Sequence, residues 1–277
     1  MVWSLPAEAS NRLRAFRNGI LLSRAKSSVT RKSPWTDLDM KAPTRNAWIT
    51  GSSSGIGLAV AHSLLDQGWS VLGLDRSAAV VHHPRYQHQS LDLTDGPVLS
   101  AWLDTTLKPD APVPDAWVHA AGQGRYARLG HLDPADTEGM WRLHVDAAMR
   151  MANALLPSMQ LRGSGRVVLL ASRVWPGKSG RSQYAATKSA VVSMARSWAA
   201  ECVRHGVCVN SVSPAATQTP MLEGDQRQGE RAEPPPMGRF ILPEEVAATV
   251  CFLLSDAARP ITGQDWVICG GSSLGAP

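Results

Sequence analysis

Several features that would indicate a membrane protein, a metal site or a disulfide framework are missing from this sequence of 277 residues. No apolar run approaches the ~18 residues that a membrane-spanning helix requires. None of the four cysteines belongs to a CxxC pair, so the sequence indicates neither a zinc cage nor a disulfide framework. The histidines form no converging set of metal ligands. We therefore expect a cytoplasmic protein with reduced thiols, no resident metal and no membrane partner.

Most of the chain carries little excess of positive over negative charge, although the net charge is +5. Residues 1–39 hold seven Arg or Lys against three acids, which leaves a net charge of only +1 for residues 40–277. Because a nucleic-acid-binding protein needs a stripe of cations on its folded body, we expect no nucleic-acid partner. This N-terminal segment, residues 1–39, is rich in Arg and Ser, as mitochondrial transit peptides are. Our preferred interpretation is a basic, weakly ordered extension over residues 1–43.

From residue 44 onward, apolar runs of strand length alternate with amphipathic stretches of helix length. The predicted strands cover residues 47–50, 69–74, 86–93, 115–122, 165–172, 207–214 and 264–271. The predicted helices cover residues 57–68, 137–161, 182–206 and 243–256. This alternation predicts a single-domain α/β Rossmann fold over residues 44–277, with a doubly wound, seven-stranded parallel sheet and helices on both faces. Ligands of such folds bind at the carboxyl ends of the strands.

The segment TGSSSGIG, residues 50–57, follows the first predicted strand and opens the first predicted helix. Its three glycines allow a tight turn and a close approach of the backbone to a ligand. The helix N-terminus supplies N–H groups and partial positive charge for a pyrophosphate. A strand, a glycine turn and a helix in this order predict a dinucleotide-binding site.

An acid stands where the second predicted strand ends. Asp75 lies 18 residues after Gly57, and a carboxylate there can bind the adenosine ribose and repel a 2′-phosphate. Arg76 follows directly and could instead bind such a phosphate. No basic residue lies among residues 52–54 to assist it, so the sequence favours NAD over NADP as the cofactor.

Further motifs follow in a fixed order. Asp92 lies in LDLTD, Gly122 closes the turn HAAG, Ser172 lies in LLASR, and Tyr184 and Lys188 form a YxxxK pair. With TGSSSGIG upstream and VNSVSPAATQTP downstream, residues 44–273 resemble the short-chain dehydrogenase/reductase family. The resemblance implies an NAD(P)-dependent enzyme that interconverts a secondary alcohol and a ketone as a homo-oligomer, a tetramer or a dimer. It assigns to the cofactor Gly51, Ser53, Ser54, Gly55, Ile56, Gly57, Asp75, Arg76, Asp92, Leu93, Ala120, Ala121, Gly122, Tyr184, Lys188, Pro214, Thr217 and Thr219.

The Tyr184–Lys188 pair carries the predicted chemistry, because residues at i and i+4 share one face of a helix. A tyrosine hydroxyl ordinarily has a pKa near ~10, and a neighbouring ammonium favours the phenolate. The pKa then moves toward the working pH, where acid–base catalysis is most efficient. The resemblance makes Tyr184 the proton donor or acceptor and Lys188 the residue that lowers its pKa and binds the nicotinamide ribose. It makes Ser172 the hydrogen-bond partner of the substrate oxygen.

His144 departs from the family pattern, which usually has an asparagine there that helps hold a water behind the lysine. A histidine can also bond a water and can titrate, so His144 is a further candidate catalytic residue. A packed helix histidine is equally compatible with the sequence. If the departure impairs the relay, the alternative function is a dinucleotide-sensing binding protein or regulator with little turnover. The substrate itself is not readable, since the segments that select it, residues 173–183 and 220–240, have no shape that the sequence reveals.

Overall fold

The computed structural model describes residues 44–108, 112–223 and 232–274. The predicted extension over residues 1–43 lies outside these ranges, as does part of the 220–240 segment. Within them, the predicted doubly wound α/β fold is confirmed.

In the described part of the chain, seven strands form one parallel sheet. They are β1 (Asn46–Thr50), β2 (Ser70–Asp75), β3 (Tyr86–Ser90), β4 (Ala116–His119), β5 (Gly165–Leu170), β6 (Val207–Pro214) and β7 (Asp265–Ile268). Their order across the sheet is β3-β2-β1-β4-β5-β6-β7, so the winding direction reverses between β1 and β4. All seven overlap the predicted strands, although the strand predicted to reach residue 93 ends at Ser90.

Helices connect the strands on both faces of the sheet. They are α1 (Gly55–Asp66), α2 (Gly96–Thr106), α3 (Pro134–Trp141), α4 (Ala147–Arg162), α5 (Ser182–Cys202), α6 (Pro220–Glu223) and α7 (Pro243–Leu254). The start of α7 shows why its boundary was readable from the sequence. Pro243 occupies the first helical turn, where its missing N–H is not needed, and Glu245 Oε2 accepts the Leu242 N–H at 2.8 Å.

Two features of the helices differ from the prediction. Helix α2 was not predicted, because its first turn contains Gly96 and Pro97 and gives little helical signal; Asp95 caps it by accepting the Val98 N–H at 3.0 Å. The single helix predicted over residues 137–161 is interrupted by a π turn over Arg142–Asp146. Such turns are rare and frequently mark functional sites, and this one contains His144.

Alternation along the strands divides the core into two layers. In β1, Trp48 points to the layer shared with α2, α4 and α5, whereas Ala47 and Ile49 point to the layer shared with α1 and α7. The same division separates Trp117 from Val118 in β4. Because helices cover both faces of the sheet in the described part of the chain, ligands reach the sheet there at its strand ends. In the described part of the chain, no helix has the length and apolar character to cross a membrane.

Candidate active site

The carboxyl ends of the central strands open into one cleft of about 1080 Å³. It lies at the reversal of strand order between β1 and β4, where ligands of open α/β sheets bind. All but two of the predicted site residues line it; the exceptions are Ser53 and His144. The lining residues that had been predicted are Gly51, Ser54, Gly55, Ile56, Gly57, Asp75, Arg76, Asp92, Leu93, Ala120, Ala121, Gly122, Ser172, Tyr184, Lys188, Pro214, Thr217 and Thr219.

The glycine turn between β1 and α1 forms a backbone cradle. Gly51 has a φ of 71°, and a Cβ there would lie 2.8 Å from the backbone of Ala121. A Cβ at Gly57 would lie 2.1 Å from the Gly51 carbonyl oxygen. Ser54, the N-cap of α1, makes no side-chain cap hydrogen bond. The start of α1 therefore presents its backbone N–H groups to the cleft, which fits the pyrophosphate of a dinucleotide.

Asp75 is held rigidly at the end of β2. Its Oδ2 accepts the Ser53 N–H at 3.1 Å, and its Oδ1 accepts the Ser77 N–H at 2.9 Å. Each carboxylate oxygen has a second lone pair, so both can still accept hydrogen bonds from a ribose. Ser53 therefore contacts Asp75 through its backbone N–H, and it does not line the cleft.

A chain of hydrogen bonds supports Asp75 from the edge strand β3. Ser52 Oγ lies 3.1 Å from Tyr86 Oη, which lies 3.3 Å from His88 Nδ1. His88 Nε2 donates to the Ser77 carbonyl oxygen at 3.0 Å. Since Ser77 also donates to Asp75, these contacts close a ring that joins the glycine cradle to the predicted ribose-binding carboxylate. We refer to Ser52, Tyr86, His88 and Ser77 as the β3 support.

Tyr184 and Lys188 lie on the buried face of α5, and both line the cleft. Lys188 Nζ lies 5.8 Å from the centre of the Tyr184 ring and donates to the Leu170 carbonyl oxygen at 2.8 Å. A Cβ at Gly122 would come within 3.6 Å of Nζ, so this glycine leaves space beside the ammonium. Burial lowers the pKa of Lys188 to about 7. Ser172, 9% exposed, follows the end of β5.

His144 lies directly behind this pair and is fully buried. The Gln123 N–H donates to its Nε2 at 3.0 Å, so Nε2 carries no proton. In the neutral ring Nδ1 is then the donor, to Thr187 Oγ1 at 2.8 Å, and Thr187 Oγ1 donates to the Tyr184 carbonyl oxygen at 2.9 Å. Burial, followed by the charge of Lys188, holds the pKa of His144 well below its ordinary value. This geometry favours a fixed neutral link to the backbone of Tyr184 over a group that titrates.

A second buried histidine anchors the π turn. His119 Nε2 lies 3.2 Å from the Leu143 carbonyl oxygen, and His119 Nδ1 lies 3.0 Å from Thr50 Oγ1. Thr50 Oγ1 also accepts the Ala121 N–H at 3.1 Å. Burial, followed by the charge of Lys188, lowers the pKa of His119 to about 3, so this imidazole is neutral as well. These contacts tie β1 and β4 to the turn that positions His144.

The cleft also contains side chains that the sequence reasoning missed. Gln123 and Tyr126 line it after β4, and Lys178 and Arg181 line it just before α5. The signal for the latter two was present, because two basic residues in the segment KSGRSQ precede the YxxxK pair. Metal ligands were not expected, and no group of three His, Cys, Asp or Glu that could hold a metal occurs in the described ranges.

Comparisons with known proteins agree with this geometry. Residues 51–273 match the profile of a family described as enoyl-(acyl carrier protein) reductase. The 2,3-dihydro-2,3-dihydroxybenzoate dehydrogenase of Escherichia coli (strain K12) is 31% identical over 245 residues, which are 84% of this chain and 98% of that protein. A solved structure of a short chain dehydrogenase/reductase family protein is 32% identical with a TM-score of 0.75, covering 83% of this chain and 98% of that one.

The chain belongs to the short-chain dehydrogenase/reductase family. A further solved member, the 3-ketoacyl-(acyl-carrier-protein) reductase from Brucella melitensis complexed with NADH, has a TM-score of 0.74 at 25% identity and covers 83% of this chain and 98% of that one. The predicted activity is confirmed at this level: the protein is an NAD(P)-dependent oxidoreductase that interconverts alcohols and ketones. Its substrate is a small molecule.

Proposed function

We propose that this short-chain dehydrogenase/reductase uses Tyr184 as its general acid and base, assisted by Lys188 and Ser172, with NAD(H) as its preferred cofactor. The observation that carries the proposal is the buried, cleft-facing Tyr184–Lys188 pair on one face of α5. If Tyr184 and Lys188 formed only a surface pair, both side chains would be exposed to solvent. Here Lys188 is only 4% exposed, in a position that a lysine seldom occupies without a function.

The reaction assigns one role to each side chain. A nicotinamide held beside Tyr184 and Lys188 would supply or accept the hydride, and the protein would supply orientation and proton transfer. In the reducing direction, Tyr184 Oη donates its proton to the carbonyl oxygen of the substrate; in the oxidising direction it takes that proton back. Ser172 donates a hydrogen bond to the same oxygen and stabilises its developing charge. Lys188, when protonated, favours the Tyr184 phenolate by its positive charge.

Asp75 supports the preference for NAD(H). Its carboxylate faces the cleft in a fixed orientation and would repel the 2′-phosphate of NADP(H). Arg76 lies close enough to Asp92 that its charge contributes to lowering the pKa of that carboxyl, after the hydrogen bond from the Thr94 backbone. The guanidinium is thus partly balanced by an acid, which weakens it as a phosphate ligand.

His144 is proposed as a positioning residue for Tyr184. Both of its ring nitrogens are engaged, one by the Gln123 N–H and the other by Thr187. Through Thr187 it holds the Tyr184 backbone in place, which would fix the direction of the catalytic hydroxyl. The buried ring also stacks edge-on against Tyr184, with 5.8 Å between the ring centres.

The proposal extends to the assembly and to the division of the chain. We propose that residues 44–277 form the catalytic domain of a cytoplasmic homo-oligomer, with residues 1–43 as an extension. Exposed apolar side chains near α3 and α4 support an oligomer: Trp141 is 46% exposed and Met149 is 48% exposed. The four cysteines are free thiols, in keeping with a reducing compartment. Light scattering of the purified protein, with and without residues 1–43, would give the oligomeric state of each.

The central test is Tyr184→Phe. NADH binding is followed by fluorescence, and turnover is measured against a panel of ketones and alcohols. We expect the variant to lose turnover by a factor of about 10² or more and to keep its NADH affinity. Retained turnover would refute the assigned acid. Tyr126→Phe is the matched control, since it removes a second tyrosine hydroxyl from the same cleft. A wild-type protein that binds NADH and turns over no member of a broad panel would instead favour the regulator.

A further inference from the structure

A buried polar network joins strands β6 and β7 beside α5. Val209 belongs to the core layer shared with α5, and alternation along β6 places Ser211 and Ser213 on the same side. Both serines are fully buried. Their hydroxyls donate to Asp265 Oδ1 on β7, each at 2.7 Å. Since a buried hydroxyl needs a hydrogen-bond partner, the Asp265 carboxylate compensates the burial of two serines in an otherwise apolar layer.

The other oxygen of Asp265 binds the segment that follows β5. Asp265 Oδ2 accepts the Trp175 Nε1–H at 2.9 Å, and a hydrogen bond to a carboxylate is stronger than one between neutral groups. Trp175 makes two backbone contacts as well. Its N–H donates to the Ser172 carbonyl oxygen at 2.9 Å, and its carbonyl oxygen lies within hydrogen-bonding distance of Ser189 Oγ on α5. Trp175 therefore connects β7 and α5 to the residue that we propose as the hydrogen-bond donor to the substrate.

The hydrogen bond from the Trp175 N–H to the Ser172 carbonyl oxygen closes a turn over residues 172–175, which we call the serine turn. Inside it, the Val174 N–H donates to Ser172 Oγ at 3.4 Å. As an acceptor toward Val174, this oxygen keeps its own O–H available to donate to a substrate. Because the bond is long and therefore weak, the direction of the Ser172 hydroxyl depends on the rest of the serine turn staying in place.

The two ends of the serine turn are held by different means. At its start, the Arg173 N–H donates to the Pro214 carbonyl oxygen at 3.0 Å, so the backbone of β6 holds this end. At its other end, Trp175 packs against the core layer shared with α5, whereas residues 176–179 are exposed to solvent. The side chain of Trp175 thus ties the end of the serine turn to the body of the protein.

We propose that the hydrogen bond between Trp175 and Asp265 holds the serine turn in place, so that these two side chains are positioning residues for Ser172. Neither is among the described residues that line the cleft, so they would act on the reaction through Ser172 and not by touching a ligand. The inference rests on the proposed function of Ser172 and extends its support to β7, at the edge of the sheet. A displaced donor costs most in the transition state, where the substrate oxygen gains charge.

Amide hydrogen exchange, read by mass spectrometry, tests whether this hydrogen bond holds the serine turn. Trp175→Phe keeps an aromatic ring and removes the indole N–H, and Asp265→Asn keeps the shape and removes one acceptor oxygen. Both should speed exchange of the N–H groups of residues 174–177 about fivefold or more. The matched control is Trp198→Phe, in α5, because Trp198 packs against the same core layer. Wild-type exchange rates in either variant, or an equal increase in the control, would overturn the inference without any substrate being needed.

Turnover in two backgrounds tests whether the serine turn positions Ser172. For the best substrate of the panel, Trp175→Phe alone should lower kcat and kcat/KM together about 10-fold and leave the Kd of NADH unchanged. Ser172→Ala should itself lower kcat about 10²-fold. In that background Trp175→Phe should change kcat by less than about twofold, because the donor that it displaces is already absent. An equal loss in both backgrounds would show a general structural role and overturn the inference.

The same measurements separate failure of this inference from failure of the proposed function. Ser172→Ala with wild-type turnover, or a wild-type protein without turnover, would remove the proposed role of Ser172 and this inference with it. A large loss in Ser172→Ala, with an undiminished further loss from Trp175→Phe, would leave the proposed function intact and overturn the positioning role alone. The double variant of Trp175→Phe and Asp265→Asn should be no slower than the slower single variant, since both changes break one hydrogen bond. Losses that multiply would show that the two side chains act independently, against the inference.

Discussion

Replacing Lys188 by methionine should stabilise the cofactor-free protein at neutral and acidic pH while it removes turnover. Burial lowers the pKa of Lys188 from its ordinary 10.5 to about 7. At about 1.4 kcal/mol per pKa unit, keeping the ammonium charged inside the native state costs at most about 5 kcal/mol below pH 7. Methionine has a similar length, fits an apolar site and carries no charge. It also removes the donor to the Leu170 carbonyl oxygen, which costs about 1–3 kcal/mol.

The net expectation is a gain of about 2 kcal/mol in the free energy of unfolding at pH 6, or a rise in Tm of about 4–8 °C for a domain of this size. The sign of the pH dependence follows from the depressed pKa. Between pH 7 and 10.5 the unfolded state holds a proton that the native state has released, so the stability of the wild type rises with pH. The advantage of the variant should therefore be largest below pH 7 and shrink as the pH approaches 10.5.

Thermal and urea unfolding of both proteins at pH 6, 8 and 10 tests this reasoning, and the difference between them cancels all other titrating groups. At saturating NADH we expect the wild type to be more stable than the variant. A ligand that binds the native wild type, and neither the variant nor the unfolded chain, stabilises the wild type by mass action. A variant that is less stable at pH 6, or whose advantage does not change with pH, would refute the account of Lys188 as a buried and poorly compensated cation.

Three further predictions concern the cofactor site and His144. Asp75→Ala should weaken NADH binding about 10–100-fold and shift the ratio of kcat/KM values toward NADPH; an unchanged ratio would place the ribose contact elsewhere. His88→Leu, which breaks the β3 support, should raise the Kd of NADH about fivefold and leave kcat at saturation unchanged. Gln87→Ala, on the exposed side of β3, is its control. Equal effects of the two variants on the Kd of NADH would show that the β3 support does not stabilise the cofactor site. His144→Asn should keep most of kcat and an unaltered pH–rate profile, since the buried imidazole is neutral. Loss of a limb of the profile would show that His144 titrates.

The fold was readable because each of its signals is local. Six of the seven strands contain short apolar runs, whereas β3 (YQHQS) is polar, and the boundary of α7 was found from Pro243 and the acids after it. Helix α2 escaped because its helical segment begins with Gly96 and Pro97 and is held by a cap, Asp95, that propensity alone does not reveal. The π turn escaped for another reason. Its extra residue shifts the phase of one helix, and the apolar pattern on either side still looks helical.

Most of the residues that line the cleft could likewise be predicted, since a glycine turn between a strand and a helix indicates a phosphate site. A tyrosine four residues before a lysine places both side chains on one helix face, and the family resemblance implies their role. The chain order, together with the family resemblance, therefore predicted that Gly51, Asp75, Tyr184 and Lys188 surround one ligand, and all four line the same cleft. It did not place Arg181 there. A basic residue just before a helix is common and does not by itself indicate where its side chain lies. Only the tertiary structure shows that the Arg181 guanidinium lies 4.1 Å from the centre of the Tyr126 ring, 55 positions earlier in the sequence.

By itself, the amino-acid order determined the α/β fold, the glycine turn that we propose as the dinucleotide cradle and the proposed catalytic pair, because these depend on residues close together along the chain. The tertiary structure alone decided which protons the buried histidines carry. Gln123 and Thr187, which fix the tautomer of His144, are 21 and 43 residues distant from it. The same holds for the depressed pKa of Lys188 and for the cation beside Tyr126. Desolvation and hydrogen-bond direction arise only when distant segments pack together and exclude water.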